Sequence, residues 1–236
     1  MSSSHLDRKE LKQPDAFVEK TTTIFHFIEK NMKLIGLLLV IAFTAAAGYF
    51  LYRNHLTDIE MDAKAKLYPI QKSFTDRVSK ITKSEADWVT KGNADIQALE
   101  KVASELGKSV AAHDGYMTLG NTFYDRGSFE KAADYFVKAA NVANVKSLET
   151  AALMQAAYAY ENAKKYAQAV LQLNKILEVT ETKVFRPEAL LALARNYELQ
   201  GDKARALENY EKFRKEFPNV PSVKNVDAVI SKLKTK

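Results

Sequence analysis

Side chains capable of acid–base or metal chemistry are scattered along this chain. Its four histidines, His5, His26, His55 and His113, fall in separate segments, and none stands at metal-ligand spacing from another. There is no cysteine, which excludes thiolate nucleophiles, cysteine metal sites and disulfides. Acidic residues alternate with basic ones on helical segments, where such pairs stabilise a surface. No Gly-rich phosphate loop, G-x-G-x-x-G or G-x-S-x-G stretch occurs. These residues point away from an enzyme. No catalytic, cofactor-binding or metal-binding residues and no small-molecule substrate are expected.

The elements must therefore be read for binding. The chain has 236 residues, 47% apolar and 27% charged, an ordinary globular balance. Glycine and proline are sparse, at eight and five, which favours an all-α protein over a turn-rich one. The net charge is +6, with basic residues dispersed beside acidic ones and no basic cluster interleaved with aromatics, so no nucleic acid partner is expected.

Three alanines, Ala132, Ala169 and Ala206, lie 37 residues apart. Nine residues before each is an aromatic: Phe123, Tyr160, Tyr197. Four after each is a large residue: Phe136, Leu173, Tyr210. Gly127 and Gly201 stand five before the first and third, where a tight turn demands positive φ; Lys164 takes that place in the second. A fixed period of this size marks stacked helical hairpins, which bury their apolar faces on one another and leave a concave surface free. Gly120 and Ala132 are small where two helices come close. Pro187 fits a helix first turn. The stripe Val223, Val226, Ile230, Leu233 predicts a helix closing the end of the stack.

Leu34 to Tyr52 reads LIGLLLVIAFTAAAGYFLY, nineteen residues without a charge. As a helix it runs about 28 Å, close to the thickness of a bilayer core. The spacing predicts one transmembrane helix over 34–52; a cleavable signal peptide, with Ala45-Ala46-Ala47 as its small-residue site, is the rival. Lys30 and Lys33 hug the first end and favour a cytoplasmic N-terminus, although lysines and arginines are nearly tied across the two flanks. Residues 1–33 read as a tail in which Phe17, Ile24 and Ile28 recur at helical spacing, either as a surface amphipathic helix or as an extension of the span.

Beyond the span, residues 53–112 read as an irregular helical hairpin. Ile59, Ala63, Leu67, Ile70, Phe74, Val78 and Ile81 form one stripe. Pro69 is expected to kink or split that helix. A second helix is expected from about Ala94 to Val110, with Trp88 in the connection, packed over the end of the stack. The phased array follows over 113–236, as units of about 113–149, 150–186 and 187–220 and a capping helix.

Over roughly 113 to 218 the chain resembles the tetratricopeptide repeat family. Leu119-Gly120, Phe123, Gly127, Phe129, Ala132 and Ala139 match best; Lys164 and Lys203 depart from the pattern, and the period is 37 rather than 34. The resemblance implies an α-solenoid whose concave face is made by the first helix of each hairpin. Carried over position by position, that face holds Met117, Asn121 and Tyr124, then Met154, Tyr158 and Glu161, then Leu191, Arg195 and Glu198. Methionine adapts its shape and tyrosine pairs apolar area with a polar tip, so such a groove suits varied peptide segments. The alternative is that these residues are occupied within the protein itself, packed against the C-terminal helix or the first hairpin. Met117 and Met154 stand where a carboxylate-clamping module is expected to carry a basic residue.

The wider layout resembles the bacterial ancillary Sec-translocon subunit family. That resemblance implies a single-pass protein of the inner membrane with a periplasmic array. It implies protein partners: the translocation channel, an envelope chaperone or unfolded polypeptides. The alternative is a structural subunit of another membrane or envelope-assembly complex without chaperone activity.

Overall fold

The computed structural model describes residues 16–81, 88–179 and 183–235, with side chains from Lys20 onward. All regular elements among them are helical. They are α1 (Ala16–Val78), α2 (Trp88–Lys91), α3 (Asn93–Glu105), α4 (Val110–Asp125), α5 (Phe129–Val142), α6 (Lys146–Asn162), α7 (Tyr166–Glu178), α8 (Arg186–Leu199), α9 (Lys203–Glu216) and α10 (Val223–Lys234). A 3-10 turn, Lys183–Phe185, precedes α8. The chain divides into two compact units, Met1–Thr57 and Asp58–Lys236.

In the first unit the described residues are helical throughout. Of the two readings of the residues before Leu34, the described part is the helical extension; residues 1–15 and the side chain of Phe17 lie outside the described residues. Leu34, Leu37, Leu38, Leu39, Val40, Ile41, Phe43, Phe50 and Leu51 are all more than half exposed. The helix is long and apolar enough to cross a membrane by length and composition. Thr44, its one hydroxyl within the apolar run other than tyrosine, donates to the carbonyls of Val40 (3.0 Å) and Ile41 (2.9 Å), so its polar atom is satisfied within the helix.

The second unit begins with the last turns of α1, whose Ala63, Leu67, Phe74 and Val78 are buried at the spacing expected. Of the two outcomes expected at Pro69, a kink or a split, the split does not occur, since α1 runs on to Val78. The proline lies on the exposed face, where water can take the carbonyl it leaves unbonded, while the buried stripe holds the turns on either side. The helix expected to run to Val110 stops at Glu105. Gly107 adopts φ +61 and Ser109 caps a new helix, its Oγ accepting from the Ala112 amide at 3.0 Å. Val110 therefore opens α4, and the first hairpin starts before His113.

Three hairpins follow: α4–α5, α6–α7 and α8–α9. Each first helix ends in the same turn. In the first hairpin the Gly127 amide bonds to Tyr124 O (2.9 Å) and the Ser128 amide reaches back to Phe123 O (2.9 Å). Lys164 to Glu161 and Lys165 to Tyr160 repeat it at 2.9 and 2.8 Å; Gly201 to Glu198 and Asp202 to Tyr197 repeat it at 2.9 Å each. This paired bonding is the Schellman motif, which needs a left-handed residue after the helix. Gly127, Lys164 and Gly201 supply φ of 76°, 59° and 81°. Lys164 is the one non-glycine at positive φ among the described residues. The phased aromatics are thus the residues whose carbonyls close the turn.

The phased alanines lie one turn into the second helices, each fully buried. Gly120 meets Phe136 so closely that a Cβ there would lie 2.5 Å from the ring. The first helices have 16, 17 and 14 residues and the second helices 14, 13 and 14. α10 lays Val226 and Ile230 against the end of the stack.

Two substitutions test these constraints. Lys164→Gly relieves a left-handed lysine and is expected to stabilise the array by about 1 kcal/mol, raising Tm by about 2–4 °C in thermal melts. Gly120→Ala forces the buried Phe136 ring aside and is expected to cost about 1–3 kcal/mol in denaturant unfolding. A neutral Gly120→Ala would mean that the ring has room to move.

Candidate interaction face

The first helices α4, α6 and α8 lie side by side, and side chains cross from each to the next. Asn162 Nδ2 of α6 donates to the Tyr124 hydroxyl of α4 at 2.6 Å. The Tyr158 hydroxyl of α6 donates to Glu188 of α8. Glu161 of α6 receives both arms of Arg195 of α8, Nε to Oε1 at 2.9 Å and Nη2 to Oε2 at 3.0 Å, and Asn196 Nδ2 adds a third bond to Oε2 at 2.6 Å. A bidentate guanidinium–carboxylate pair fixes direction as well as distance. The Arg195 guanidinium also lies 5.9 Å from the centre of the Tyr158 ring.

The nine residues expected on this face divide by environment. Asn121 is exposed; Met117, Tyr124 and Leu191 are half-buried, packed along the edge of the core. Met154 is a correction: at 4% exposure it belongs to the core, because its side chain turns inward among the alanines of α6. Tyr158, Glu161 and Arg195 bond across helices, and Glu198 accepts from Tyr210 of α9 at 3.2 Å. Much of the polar chemistry of the face is therefore spent inside the array. The atoms left to a partner are the Asn121 amide, the Met117 and Leu191 side chains and the tyrosine rings. The Tyr124 ring is braced edge-on by Phe129, with centroids 5.1 Å apart.

Asn162, Glu188, Asn196 and Tyr210 complete this network and were not anticipated. Asn196 carried the best signal, a polar residue inside the apolar run of α8. It is fully buried, its Nδ2 also donating to Ala192 O at 2.8 Å, while its Oδ1 has no partner among the described residues. Buried polar side chains of this kind hold one register, because any slip breaks bonds that water cannot replace.

Burial shapes the titration of the face. It raises the Tyr158 hydroxyl, and the bond to Glu188 raises it further, since both disfavour a phenolate. Tyr210 is pushed up to about 12, first by burial and then by the charge of Glu198. For Arg195, burial works against the charged form, but the bonds to Glu161 and its field more than offset this and the guanidinium stays raised. These groups hold one protonation state through the physiological range, so they act as fixed braces and not as proton carriers. Among the described residues no three His, Asp or Glu side chains converge as a metal site requires.

A second set of contacts ties α1 to the first hairpin. Glu60 accepts from the Val110 amide at the start of α4 (3.1 Å) and from Asn144 Nδ2 (2.6 Å). A carboxylate there also meets the positive end of the α4 dipole. Gln71 Nε2 donates to Thr118 Oγ1 at 2.6 Å. At the far end Arg126 donates to the carbonyls of Val78 (2.7 Å) and Ile81 (3.1 Å). Its guanidinium stacks 4.6 Å over Trp88. Trp88 in turn packs 4.9 Å from Phe123. The tryptophan is thus buried against α4, within the packing of the array; residues 82–87 of its connection lie outside the described residues.

The network makes an asymmetric prediction for unfolding. Glu161→Ala strips Arg195 of its acceptor and leaves the buried Asn196 amide only the Ala192 carbonyl, and is expected to cost about 1.5–3 kcal/mol. Arg195→Ala removes a half-exposed partner and leaves the Asn196 bond intact, costing about 1 kcal/mol or less. Equal losses in chemical denaturation would show that the Asn196 bond contributes nothing.

Comparison with known proteins agrees with this geometry. Residues 188–219, spanning most of α8 and all of α9, match the tetratricopeptide repeat family. The chain is 32% identical over 113 residues to photosystem I assembly protein Ycf3 of Synechococcus sp. (strain CC9605), across 48% of this chain. It spans 64% of the length of that relative. The shared phase, the common Schellman turn and the stacked hairpins make α4–α5 and α6–α7 similar to the matched hairpin α8–α9, and the array as a whole similar to tetratricopeptide repeats.

Proposed function

We propose that this chain is a membrane-anchored adaptor of the bacterial inner membrane, with residues 1–33 cytoplasmic, 34–52 spanning the bilayer and the repeats in the periplasm. In this reading it assists Sec-dependent translocation or periplasmic folding as a chaperone-like accessory. Its partners are the translocation channel, an envelope chaperone or unfolded polypeptides, and it uses no cofactor, metal or nucleic acid. One observation carries the proposal: an exposed, uncharged apolar stretch of α1, residues 34–52, and an array of hairpins similar to tetratricopeptide repeats share one chain. Tethering raises the effective concentration of an array for whatever emerges at the same membrane. The apolar edge of Met117, Leu191 and the tyrosine rings suits partly unfolded segments, which offer apolar side chains of no fixed order.

A second reading is a fixed subunit of another membrane-complex or envelope-assembly machine. It draws on the name of the relative, an assembly protein for photosystem I, and on the internal bonding of the face, which suits a rigid scaffold. The two readings separate on the tyrosines. In the adaptor reading Tyr124→Ala with Tyr158→Ala weakens binding of unfolded polypeptide by about tenfold while the helical content is kept. In the scaffold reading binding to one stoichiometric partner survives those changes and is lost when the apolar helix is exchanged. A reporter fused after Lys236 fixes the topology; activity on the cytoplasmic side sinks the periplasmic proposal.

A further inference from the structure

The charge of the chain is unevenly placed. Residues 88–199 hold thirteen Lys and Arg against thirteen Asp and Glu, whereas residues 200–236 hold nine against five. The excess is displayed on α9 and α10, where Lys203, Lys212, Lys215, Lys224 and Lys232 are exposed.

Four of the five carboxylates in this stretch are already engaged, and the fifth, Glu208, is exposed on α9. Glu216 receives two bonds from Arg186, at 2.7 and 3.1 Å. Those bonds, followed by the nearby charges of Lys212 and Lys215, hold its carboxyl below the usual range. Glu211 pairs with Lys234 at 2.7 Å, Asp227 with Arg214 at 3.4 Å, and Asp202 with Arg205. The five exposed lysines have no ion-pair partner among the described residues. Five exposed lysines therefore face solvent against one carboxylate without an ion pair among the described residues, Glu208, and the surface keeps a net positive charge.

We propose that the outer surface of α9 and α10 docks an acidic polypeptide segment. α9 and α10 expose no large apolar side chain, so nothing is offered for insertion among lipid chains. No exposed aromatic stands between the lysines on which a base could stack, which separates the surface from a single-strand nucleic acid groove. The free cations are lysines, strongly hydrated point charges that attract acidic side chains without the planar fork suited to phosphate. Such a surface steers an acidic partner to the array from a distance and releases it readily in salt. It is carried by other residues than the face of α4, α6 and α8, and goes beyond the adaptor reading.

The test uses the full chain in detergent and a fluorescein-labelled peptide of alternating Glu and Ser, read by anisotropy. Lys212, Lys215, Lys224 and Lys232 are changed together to Glu, and in a second variant to Gln. A control carries the same charge change at the exposed Lys66, Lys72, Lys101 and Lys108. The Glu variant is expected to weaken binding by about tenfold and the Gln variant by a smaller factor, while the control loses about twofold or less. Binding of the unaltered chain should fall as salt rises from about 0.05 M to about 0.3 M. Tyr124→Ala with Tyr158→Ala should leave this binding unchanged, so failure of the adaptor reading does not mimic failure here. Equal losses in patch and control variants overturn the proposal by showing that only net charge matters. Stronger patch-dependent binding of phosphatidylglycerol vesicles or of single-stranded DNA overturns it in favour of those partners.

Discussion

The left-handed turn that ends each first helix is the constraint on which the array depends. Its two backward bonds reverse the chain within three residues, so the second helix begins at a fixed angle and distance from the first. That proximity is why Ala132, Ala169 and Ala206 are fully buried, and why Gly120 can tolerate no Cβ beside Phe136. Lys164 shows the strength of the constraint. A residue that resists positive φ adopts it anyway, because the packing of two helices outweighs a local cost of about 1–2 kcal/mol.

This turn also explains what could be read from residues alone. The 37-residue phase is visible because one backbone motif fixes a glycine, an aromatic and an alanine at set offsets. The boundary at Gly107–Ser109 carried stop and start signals of its own, but the apolar stripe running through to Val110 concealed them. Pro69 does not split α1 because it lies off the stripe of Leu67, Ile70 and Phe74, and a lost hydrogen bond is cheap on a wet face and dear in a core. Length and charge were enough to single out 34–52 as an apolar helical stretch within α1.

The interaction face was legible only in part, for a similar reason. Position within the repeat picked out Tyr124, Tyr158, Glu161 and Arg195 correctly as residues of the first helices. It could not reveal that their partners lie about one repeat away, Asn162 for Tyr124, Glu188 for Tyr158 and Arg195 for Glu161. Nor could it tell that Met154 turns inward while Met117, one period earlier, reaches the edge. Neighbouring repeats put equivalent positions to different ends, Met154 buried in the core and Met117 half-buried at its edge.

The bracing has a functional corollary. A face whose polar groups are held by one another loses little conformational freedom when a partner arrives, and less ordering cost leaves more of the contact energy as affinity. The central proposal is that polypeptide partners dock on this braced face, at Asn121 and its apolar neighbours. The direct measurement is site-specific photocrosslinking in native membranes, with the reactive group at exposed Asn121 and, for comparison, at exposed Lys101 on α3. The account predicts discrete protein adducts from Asn121 that are absent from Lys101. Adducts of equal yield and pattern from both positions, or none from Asn121, would contradict it.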